Sequence, residues 1–353
     1  MVACAVCQKR LNLKEPVGTP DECEYCGGIL SRIDDFFEIF KDFYFQFEIG
    51  SFLIGVKADK NRLQKEMKVI EDEKLDIRNF KKEFESKLGS RIEDELHLKA
   101  DFTKPDVIFT VDQRNLSYDF WIRPVFVVGR YRKNARGIPQ SPWISPAPGR
   151  EGRSISEYIG ENIKDALGGT NYNFYASGRE DVDALMLGDG RPFYVEVINP
   201  RKRKVEGAEI TRKISESSGG NVEVLEPRVA SEEEIDVLKR ARPNKVYEVS
   251  FSTDRKLNDD LIRKLSSYSG IVISQRTPTR VLPIRKDISR KRTIFSIKVL
   301  NWSDYQVRLW IEAEAGTYIK EFITGDSGRT EPSISKDLKV NVKIDYLNVL
   351  SVK

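Results

Sequence analysis

The placement of the cysteines constrains this chain more than any other feature. All four lie within the first 26 residues, as two C-x2-C pairs separated by fifteen residues: Cys4, Cys7, Cys23 and Cys26. Two such pairs can supply four thiolates to a tetrahedral metal ion, and Gly27 and Gly28 favour a tight turn after the second pair. A disulfide framework or redox pairs are the alternatives. We predict a structural zinc ion, because four thiolates leave no coordination position for water.

Length and composition indicate a globular chain of two or three domains, since domains usually hold about 100–200 residues and this chain has 353. Hydrophobic residues make up 39% and charged residues 32%, which predicts real cores under an ion-paired surface. The net charge is only +4, so a nucleic-acid site must be a local patch. No apolar run reaches the roughly 20 residues that span a bilayer, and the start lacks a signal-peptide core. We expect a soluble, cytoplasmic protein without membrane contact.

The single histidine, His97, limits the possible chemistry. Ser-His-Asp and Cys-His mechanisms need an imidazole, and this one lies in a charged, helix-like stretch, where a surface or helix residue is expected. The G-x-G at 188–191 lacks a strand–turn–helix context, so nucleotide binding has weak support. An H-x-E motif near P-C-x-x-C is absent, which argues against a zinc deaminase.

Hydrophobic periodicity predicts an α+β chain, with a second unit from about residue 30 to residue 125. The sequence SISEYIGENIKDALGG is typical of a helix, and Ser231 and Glu234 have the spacing of a capping box. Alternation predicts strands in KVYEVSFST, DYQVRLWIEAEA and KVNVKIDYLNVLSV. The glycines and prolines of Gly129 to Trp143 predict a long loop.

Two basic stretches are candidate RNA contacts. The predicted loop carries cations interleaved with aromatic residues, and PRKRK at 200–204 is a second basic run. Cations neutralise phosphates and aromatic rings stack on bases, so both stretches suit RNA. The alternative for each is an ordinary solvated surface. The candidate residues are Arg130, Arg132, Lys133, Arg136, Arg201, Lys202 and Arg203.

Three short motifs carry a resemblance to tRNA pseudouridine synthases. GREDVD resembles their G/H-R-x-D motif with Asp181 as the aspartate, KVY resembles K-x-Y at Lys245 and Tyr247, and GTYIKEF resembles GTYIR with Lys320 in place of arginine. The motifs occur in the family's order. Longer strings, among them RTPTRVLPIR and AGTYIKEFITGDSGRTEPS, resemble the archaeal and eukaryotic tRNA pseudouridine-54/55 synthase family, whose members have a Cys-rich, THUMP-containing RNA-binding half.

The resemblance implies three domains: a four-cysteine zinc module at 1–28, a THUMP-like α/β RNA-binding domain at 29–125, and a pseudouridine synthase catalytic domain with a mixed or antiparallel sheet at 126–353. It implies a monomeric enzyme that converts uridine to pseudouridine in the TΨC arm of tRNA, at position 54, position 55 or both. No cofactor is implied for catalysis.

The resemblance also assigns roles within the site. Asp181 is implied as the catalytic carboxylate and Lys320 as the cation beside it, with Arg179 as the local alternative. Tyr247 would stack on the flipped uracil and Ile319 would pack on its other side, while Tyr318 is expected to have a packing role. A cation near a carboxylate favours its ionised form.

Two other function classes compete with this one. A zinc and THUMP-like pair of modules could form a non-catalytic tRNA-binding adaptor, which would not need Asp181, Tyr247 and Lys320 to converge. An RNA methyltransferase or thiolation enzyme would need a cofactor or ATP loop, and the sequence shows none.

Overall fold

The computed structural model describes residues 2–14, 17–143, 152–283 and 285–353. It contains two compact units. The first comprises residues 1–125 with 167–171 and 198–203, and the second comprises 126–166, 172–197 and 204–353. Each unit combines helices with sheets, which confirms the predicted α+β class.

The first unit holds two sheets and four α-helices among its described residues. The chain order is β1 (Ala3–Cys4), α1 (Ala5–Leu11), β2 (Val17–Gly18), α2 (Ile33–Tyr44), β3 (Ser51–Lys57), α3 (Lys60–Asp72), α4 (Phe80–Leu96), β4 (Lys99–Ala100), β5 (Val107–Asp112) and β6 (Ser117–Ile122). Strands β1 and β2 form a parallel pair. The other sheet has the order β4-β3-β5-β6, with β3 parallel to β4 and β5, and β6 antiparallel to β5.

An aromatic core holds this unit together. Phe36, Phe40 and Phe43 recur at helical spacing along α2 and are buried. The ring of Phe40 meets those of Phe52 and Phe109 at 5.7 and 5.8 Å, in edge-to-face contact. Three residues of α2 are thereby fixed against the sheet.

Helix α4 ends where the single histidine lies. Asn79 caps its start by accepting a hydrogen bond from the Lys82 amide at 3.0 Å. His97 ends the helix in the left-handed region at φ 55° and is exposed. The prediction of a surface residue at His97 is confirmed.

The second unit is larger and is built on one ten-stranded sheet. Its elements are β7 (Val125–Lys133), α5 (Ile155–Leu167), β8 (Asn171–Ala176), β9 (Leu185–Ile198), α6 (Gly207–Ser217), β10 (Val222–Ala230), α7 (Glu232–Arg240), β11 (Lys245–Thr253), α8 (Asp259–Ser266), β12 (Ile271–Arg276), β13 (Ser289–Trp302), β14 (Gln306–Ala313), α9 (Ile319–Thr324), β15 (Thr330–Glu331), α10 (Ile334–Leu338) and β16 (Val342–Val352). The strand order is β10-β7-β9-β16-β11-β14-β13-β12-β15, and β8 pairs with β9.

The sheet is mixed, as the resemblance implied. Strand β16 runs parallel to β9, whereas β11 is antiparallel to both β14 and β16. The strands predicted from alternation form β11, β14 and β16. Ser231 is the N-cap of α7, and its hydroxyl accepts a hydrogen bond from the Glu234 amide at 3.3 Å; the Glu234 carboxylate pairs with Arg228, so only this half of the predicted capping box is present.

The prediction of one long loop from Gly129 to Trp143 is wrong for its first five residues. Gly129 to Lys133 form the end of β7 and pair with β10. Tyr131 and Lys133 alternate with partly exposed arginines and point into the protein, which is a strand pattern that the glycine and the charges obscured.

In the described part of the chain, every helix is too short or too polar to cross a membrane.

Candidate active site

The aspartate of the GREDVD motif lies on the connection between β8 and β9. Strand β9 starts at Leu185 and pairs with β16, where Met186 lies opposite Val349. Val349 in turn lies opposite Tyr247 on β11. The register of three strands therefore brings the segment before β9 close to the K-x-Y strand, although the two are more than sixty residues apart in sequence.

Two cations hold the carboxylate of Asp181. Arg280 Nη1 donates to Asp181 Oδ1 at 2.9 Å, and Lys320 Nζ lies 3.2 Å from Asp181 Oδ2. The Asp181 side chain keeps 30% of its surface exposed, so the carboxylate is both paired and accessible. Charge-assisted hydrogen bonds of this kind are shorter and stronger than neutral ones, so they hold the carboxylate in one orientation.

Lys320 is shared between two carboxylates of the motif. Its ammonium donates to both oxygens of Asp183, at 2.9 and 2.8 Å. Burial opposes ionisation of Asp183, but these hydrogen bonds and the Lys320 charge outweigh burial and lower its pKa. Lys320 lies in the first turn of α9, and Tyr318 is the N-cap residue, so the GTYIK motif is a loop-to-helix junction.

Arg280 is the functional residue that sequence reasoning missed. It lies in the short 3₁₀-helix Thr279–Val281, and its Nε donates to Glu321 Oε1 at 2.7 Å while Nη1 holds Asp181. Burial lowers the pKa of Arg280, but hydrogen bonds and charge from Glu321, with the charge of Asp181, produce a net rise. The string RTPTRVLPIR carried part of the resemblance, yet nothing in it assigned a role to this arginine.

A buried ion pair supports the turn that carries Asp181. Glu180 and Arg191 are both about 1% exposed, and Arg191 Nε donates to Glu180 Oε2 at 2.8 Å. Arg191 also donates to the Ser177 carbonyl at 2.7 Å. The Tyr131 hydroxyl donates to Glu180 at 2.9 Å, and Gln140 donates to that hydroxyl oxygen and to the Gly178 carbonyl. The network fixes the backbone on the N-terminal side of Asp181.

Lys133 anchors the same turn from the other side. It is fully buried, and its ammonium donates to the carbonyls of Ile138, Asp181 and Val182 at 3.0, 3.1 and 3.0 Å. Burial lowers its pKa to about 8. The predicted RNA contact does not suit a lysine in this position, and we assign Lys133 a positioning role instead.

The other three cations of the Gly129–Trp143 stretch also have partners within the protein. Arg130 donates to the carbonyls of Asp189, Gly190 and Val352, and Arg132 donates to Gly188 and pairs with Glu223 at 3.2 Å. Arg136 is exposed, yet it holds the Asp183 carbonyl and donates to Asn348 Oδ1 at 2.7 Å. These contacts organise the rim of the site, while an RNA contact by the same residues stays a prediction.

In PRKRK, two of the three candidates are free to reach a ligand. Arg201 and Lys202 are exposed, and Arg201 lies over the ring of Phe47 at 5.8 Å. Arg203 is mostly buried and pairs with Asp106 at 3.1 Å. The structure thus separates a structural arginine from two surface cations.

The remaining predicted residues differ in their surroundings. Arg179 is exposed and makes no ion pair with any described residue, so Lys320 and Arg280 are the cations beside Asp181.

Burial raises the pKa of Tyr247 to about 12; the Arg191 charge opposes this rise and the Asp181 carboxylate adds to it. Tyr247 therefore lies within the electrostatic reach of both groups.

Tyr318 and Ile319, which precede Lys320 in the chain, are both held in place. Ile319 is 3% exposed. Tyr318 is partly exposed, its backbone is fixed by two hydrogen bonds of 2.9 Å with the Gln275 amide group, and its hydroxyl lies 3.4 Å from Arg285 Nη1.

The four cysteines form a compact cluster in the first unit. All are buried and free, and their sulfur atoms lie within 4.8 Å of one another. The separations from Cys26 to Cys4 and to Cys23 are both 3.7 Å. Tetrahedral Zn–S bonds of about 2.3 Å place sulfurs about 3.8 Å apart, so the donor set could hold a metal ion.

Comparison with known proteins adds independent findings. The family model described as "Pus10, C-terminal" matches residues 126–353, and "Pus10 THUMP domain, archaeal" matches residues 41–112. The curated "tRNA pseudouridine synthase Pus10" of Pyrococcus furiosus is 36% identical over 340 residues, covering 94% of this chain and 84% of that protein. The protein of the same description from Thermoplasma acidophilum is 32% identical over 343 residues, covering 95% and 87%.

A further relative of that description, from Methanothermobacter marburgensis, is 35% identical and covers 94% of this chain and 86% of its own length. The two family models match segments in both units. This chain belongs to the Pus10 family of tRNA pseudouridine synthases, which are isomerases.

Proposed function

We propose that this chain isomerises uridine to pseudouridine in the TΨC arm of tRNA, at position 54, position 55 or both, with Asp181 as the catalytic carboxylate. The observation that carries the proposal is the convergence of Arg280 and Lys320 on one accessible carboxylate. A non-catalytic adaptor would have no need for this arrangement.

The chemistry requires little beyond these residues. The N1–C1′ bond of the uridine breaks, the base turns, C5 bonds to C1′ and loses its proton, and N1 gains a proton, so neither a redox step nor a group donor is needed. Asp181 either attacks C1′ or removes the 2′ proton, and both routes use the carboxylate that the two cations hold in place. The uridine must leave its stack to reach this position. We assign Tyr247 as the platform for the flipped base and Ile319 as the packing group on its other side.

We further propose that the chain acts as a monomer with the division into 1–28, 29–125 and 126–353. The THUMP match within the middle segment supports an RNA-binding role there. Arg201 and Lys202 are the exposed cations that we assign to the tRNA backbone.

The position of modification can be tested with four tRNA transcripts. One carries both uridines, two carry cytidine at position 54 or at position 55, and the fourth carries cytidine at both positions. Tritium release from 5-labelled uridine should occur with the first transcript and with at least one of the two singly substituted transcripts. Release that persists when both positions are cytidine would contradict the assignment to this arm.

Lys320→Met should lower the rate of pseudouridine formation by about tenfold to a hundredfold, because it removes a charge-assisted contact worth about 1.5–3 kcal/mol. Arg280 still pairs with Asp181 in this variant, so activity should not vanish. Lys320→Arg keeps the charge and should retain most of the activity. Single-turnover rates measure both variants, and a wild-type rate for Lys320→Met would leave Arg280 as the only functional cation.

We propose that the cysteine cluster holds zinc. Purification without chelators should then yield one zinc ion per chain by elemental analysis. Replacement of Cys7 by serine should reduce the zinc content and destabilise the first unit, because metal binding contributes directly to the folding of such sites. Zinc-free protein with paired cysteines would contradict this assignment and favour disulfides.

A further inference from the structure

A cavity of about 460 Å³ lies in the second unit beside the turn that carries Asp181. Ser177 and Gly178 form part of its wall, and Asp181 follows only three residues later. Asp181, Tyr247 and Lys320 are not among the residues that line it. The cavity is therefore a neighbour of the proposed uridine site and not the same space.

The charge of this cavity is of one sign. Its described wall contains four cations, Lys239, Arg242, Lys245 and Arg292, and no carboxylate. Arg292 pairs with Glu314 through Nη1 at 3.3 Å, but its buried Nε has no partner among the described residues. A wall of this composition favours an anion.

Lys245 is the cation of this wall that is most available to an anion. It lies at the start of β11, it is partly buried, and its ammonium makes no hydrogen bond or ion pair with the described residues. Burial, with the Arg191 charge, lowers its pKa to about 8, while Glu180 opposes this effect. An anion in the cavity would stabilise the charged form of this lysine.

Two glycines keep the cations accessible. Gly178 has φ +86°, and a Cβ atom there would lie 2.7 Å from Lys245 Nζ. Gly316 has φ +81°, and a Cβ atom there would lie 3.4 Å from Arg292 Nη2. Any side chain at Gly178 would crowd the Lys245 ammonium, so this backbone is built for close approach.

An aromatic platform completes the wall. The rings of Tyr175 and Tyr194 stack at 4.6 Å with an angle of 18° between them, and both line the cavity. Tyr175 is 46% exposed, which leaves part of its ring available to a planar ligand. Cations beside exposed aromatic rings are the combination that binds single-stranded nucleic acid.

We propose that this cavity binds one nucleotide of the substrate RNA next to the target uridine, with its phosphate on Lys245, Arg242 and Arg292 and its base on Tyr175. The inference rests on the proposed function for the identity of the RNA. The neighbouring nucleotide would hold the strand on one side of the flipped uridine, and binding at this position would help to present the uridine to Asp181.

The test uses the full-length chain with an unmodified tRNA transcript. Tyr175→Ala should weaken tRNA affinity about tenfold, the effect of losing one base–aromatic stack. Arg242→Gln should also weaken binding and reduce the slope of log affinity against log salt by about 0.7–0.9. Single-turnover rates of both variants are measured at saturating RNA, so that isomerisation is read separately from binding.

Matched controls lie at the opposite end of β11. Tyr305→Ala removes a tyrosine that is 53% exposed, and Arg255→Gln removes an exposed arginine just beyond Thr253. Thr253 lies eight positions after Lys245 along the strand, which is about 26 Å at about 3.3 Å per residue. The controls should bind tRNA as the wild type does. Binding by Tyr175→Ala and Arg242→Gln that matches these controls would overturn the proposal.

Competition identifies the ligand. Penta-uridylate should displace labelled tRNA from the wild type and displace it less well from Tyr175→Ala, whereas inorganic phosphate at equal phosphate concentration should not compete. Equal competition by inorganic phosphate would reduce the cavity to a simple anion site and overturn the nucleotide assignment. Affinity and isomerisation are measured separately. A wild type that forms no pseudouridine, with weaker tRNA binding by Tyr175→Ala and Arg242→Gln, contradicts the proposed function. An active wild type whose two variants bind tRNA equally well contradicts the cavity proposal.

Discussion

Asp181→Asn is expected to abolish pseudouridine formation, with a loss of about a thousandfold or more, the usual cost of removing a catalytic side chain. Asparagine has nearly the same shape and can still accept a hydrogen bond from Arg280, so the loop should keep its structure. It lacks the negative charge that either proposed route needs. The affinity for tRNA should change little, because phosphate contacts dominate binding. Tritium release and filter binding measure the two effects separately.

Asp183→Asn is the matched control for this variant. Asp183 belongs to the same turn and contacts the same Lys320 ammonium at 2.8 Å, but its side chain is 71% exposed. Its replacement should leave most of the activity. If Asp183→Asn were as inactive as Asp181→Asn, the two carboxylates would have to act as a unit and the assignment to Asp181 alone would be wrong.

Arg191→Met should give the largest loss of stability, about 3–5 kcal/mol in the free energy of unfolding of the second unit. The variant leaves the Glu180 carboxylate buried, with the Tyr131 hydroxyl as its remaining partner. Removing one member of a buried pair costs more than the pair itself contributes, because an uncompensated charge remains. Chemical denaturation, followed by a probe in the second unit, measures the change.

Two comparisons separate this effect from a general sensitivity to mutation. Arg212→Met removes an arginine that pairs with Glu216 at 2.8 Å on an exposed helix face, and such surface pairs contribute little. Adding Glu180→Gln to Arg191→Met removes the stranded charge and should restore part of the stability. An Arg191→Met variant as stable as Arg212→Met would show that the pair is not a main support of the Asp181 turn.

Motif order carries long-range information, so sequence reasoning could predict which distant residues lie close together. The three motifs resembled those of one family. In the structure Asp181 and Lys320 contact each other, and Tyr247 lies close enough for the Asp181 charge to affect its pKa. The strand that carries Tyr247 was predicted with its observed bounds, since its alternation of buried residues is regular.

The contacts that sequence reasoning missed depend on the tertiary fold. Arg280 reaches Asp181 across 99 positions, and no local pattern in a proline-containing loop indicates that partner. Sequence reasoning gave Glu180 no role, because its burial depends on Arg191 and Tyr131 from two neighbouring strands. Charge density alone does not distinguish a buried support from a solvated residue.

The contacts made by the cations of the Gly129–Trp143 stretch also depend on the tertiary fold. Composition predicted RNA contacts for its cations but could not show that Arg130 and Arg132 donate to the backbone carbonyls of 188–190, where Gly188 and Gly190 have positive φ. Backbone carbonyls at such a position need donors, and arginine supplies several in one plane.

The most direct test compares the Asp181→Asn and Asp183→Asn variants with the wild type on one RNA. An unmodified tRNA transcript is incubated with the wild type, with Asp181→Asn and with Asp183→Asn, and its nucleosides are separated by chromatography and identified by mass spectrometry. We predict pseudouridine from the wild type and from Asp183→Asn, located in the TΨC arm, and none from Asp181→Asn. Pseudouridine formed by Asp181→Asn at the wild-type rate would contradict the assignment of this carboxylate as the catalytic group.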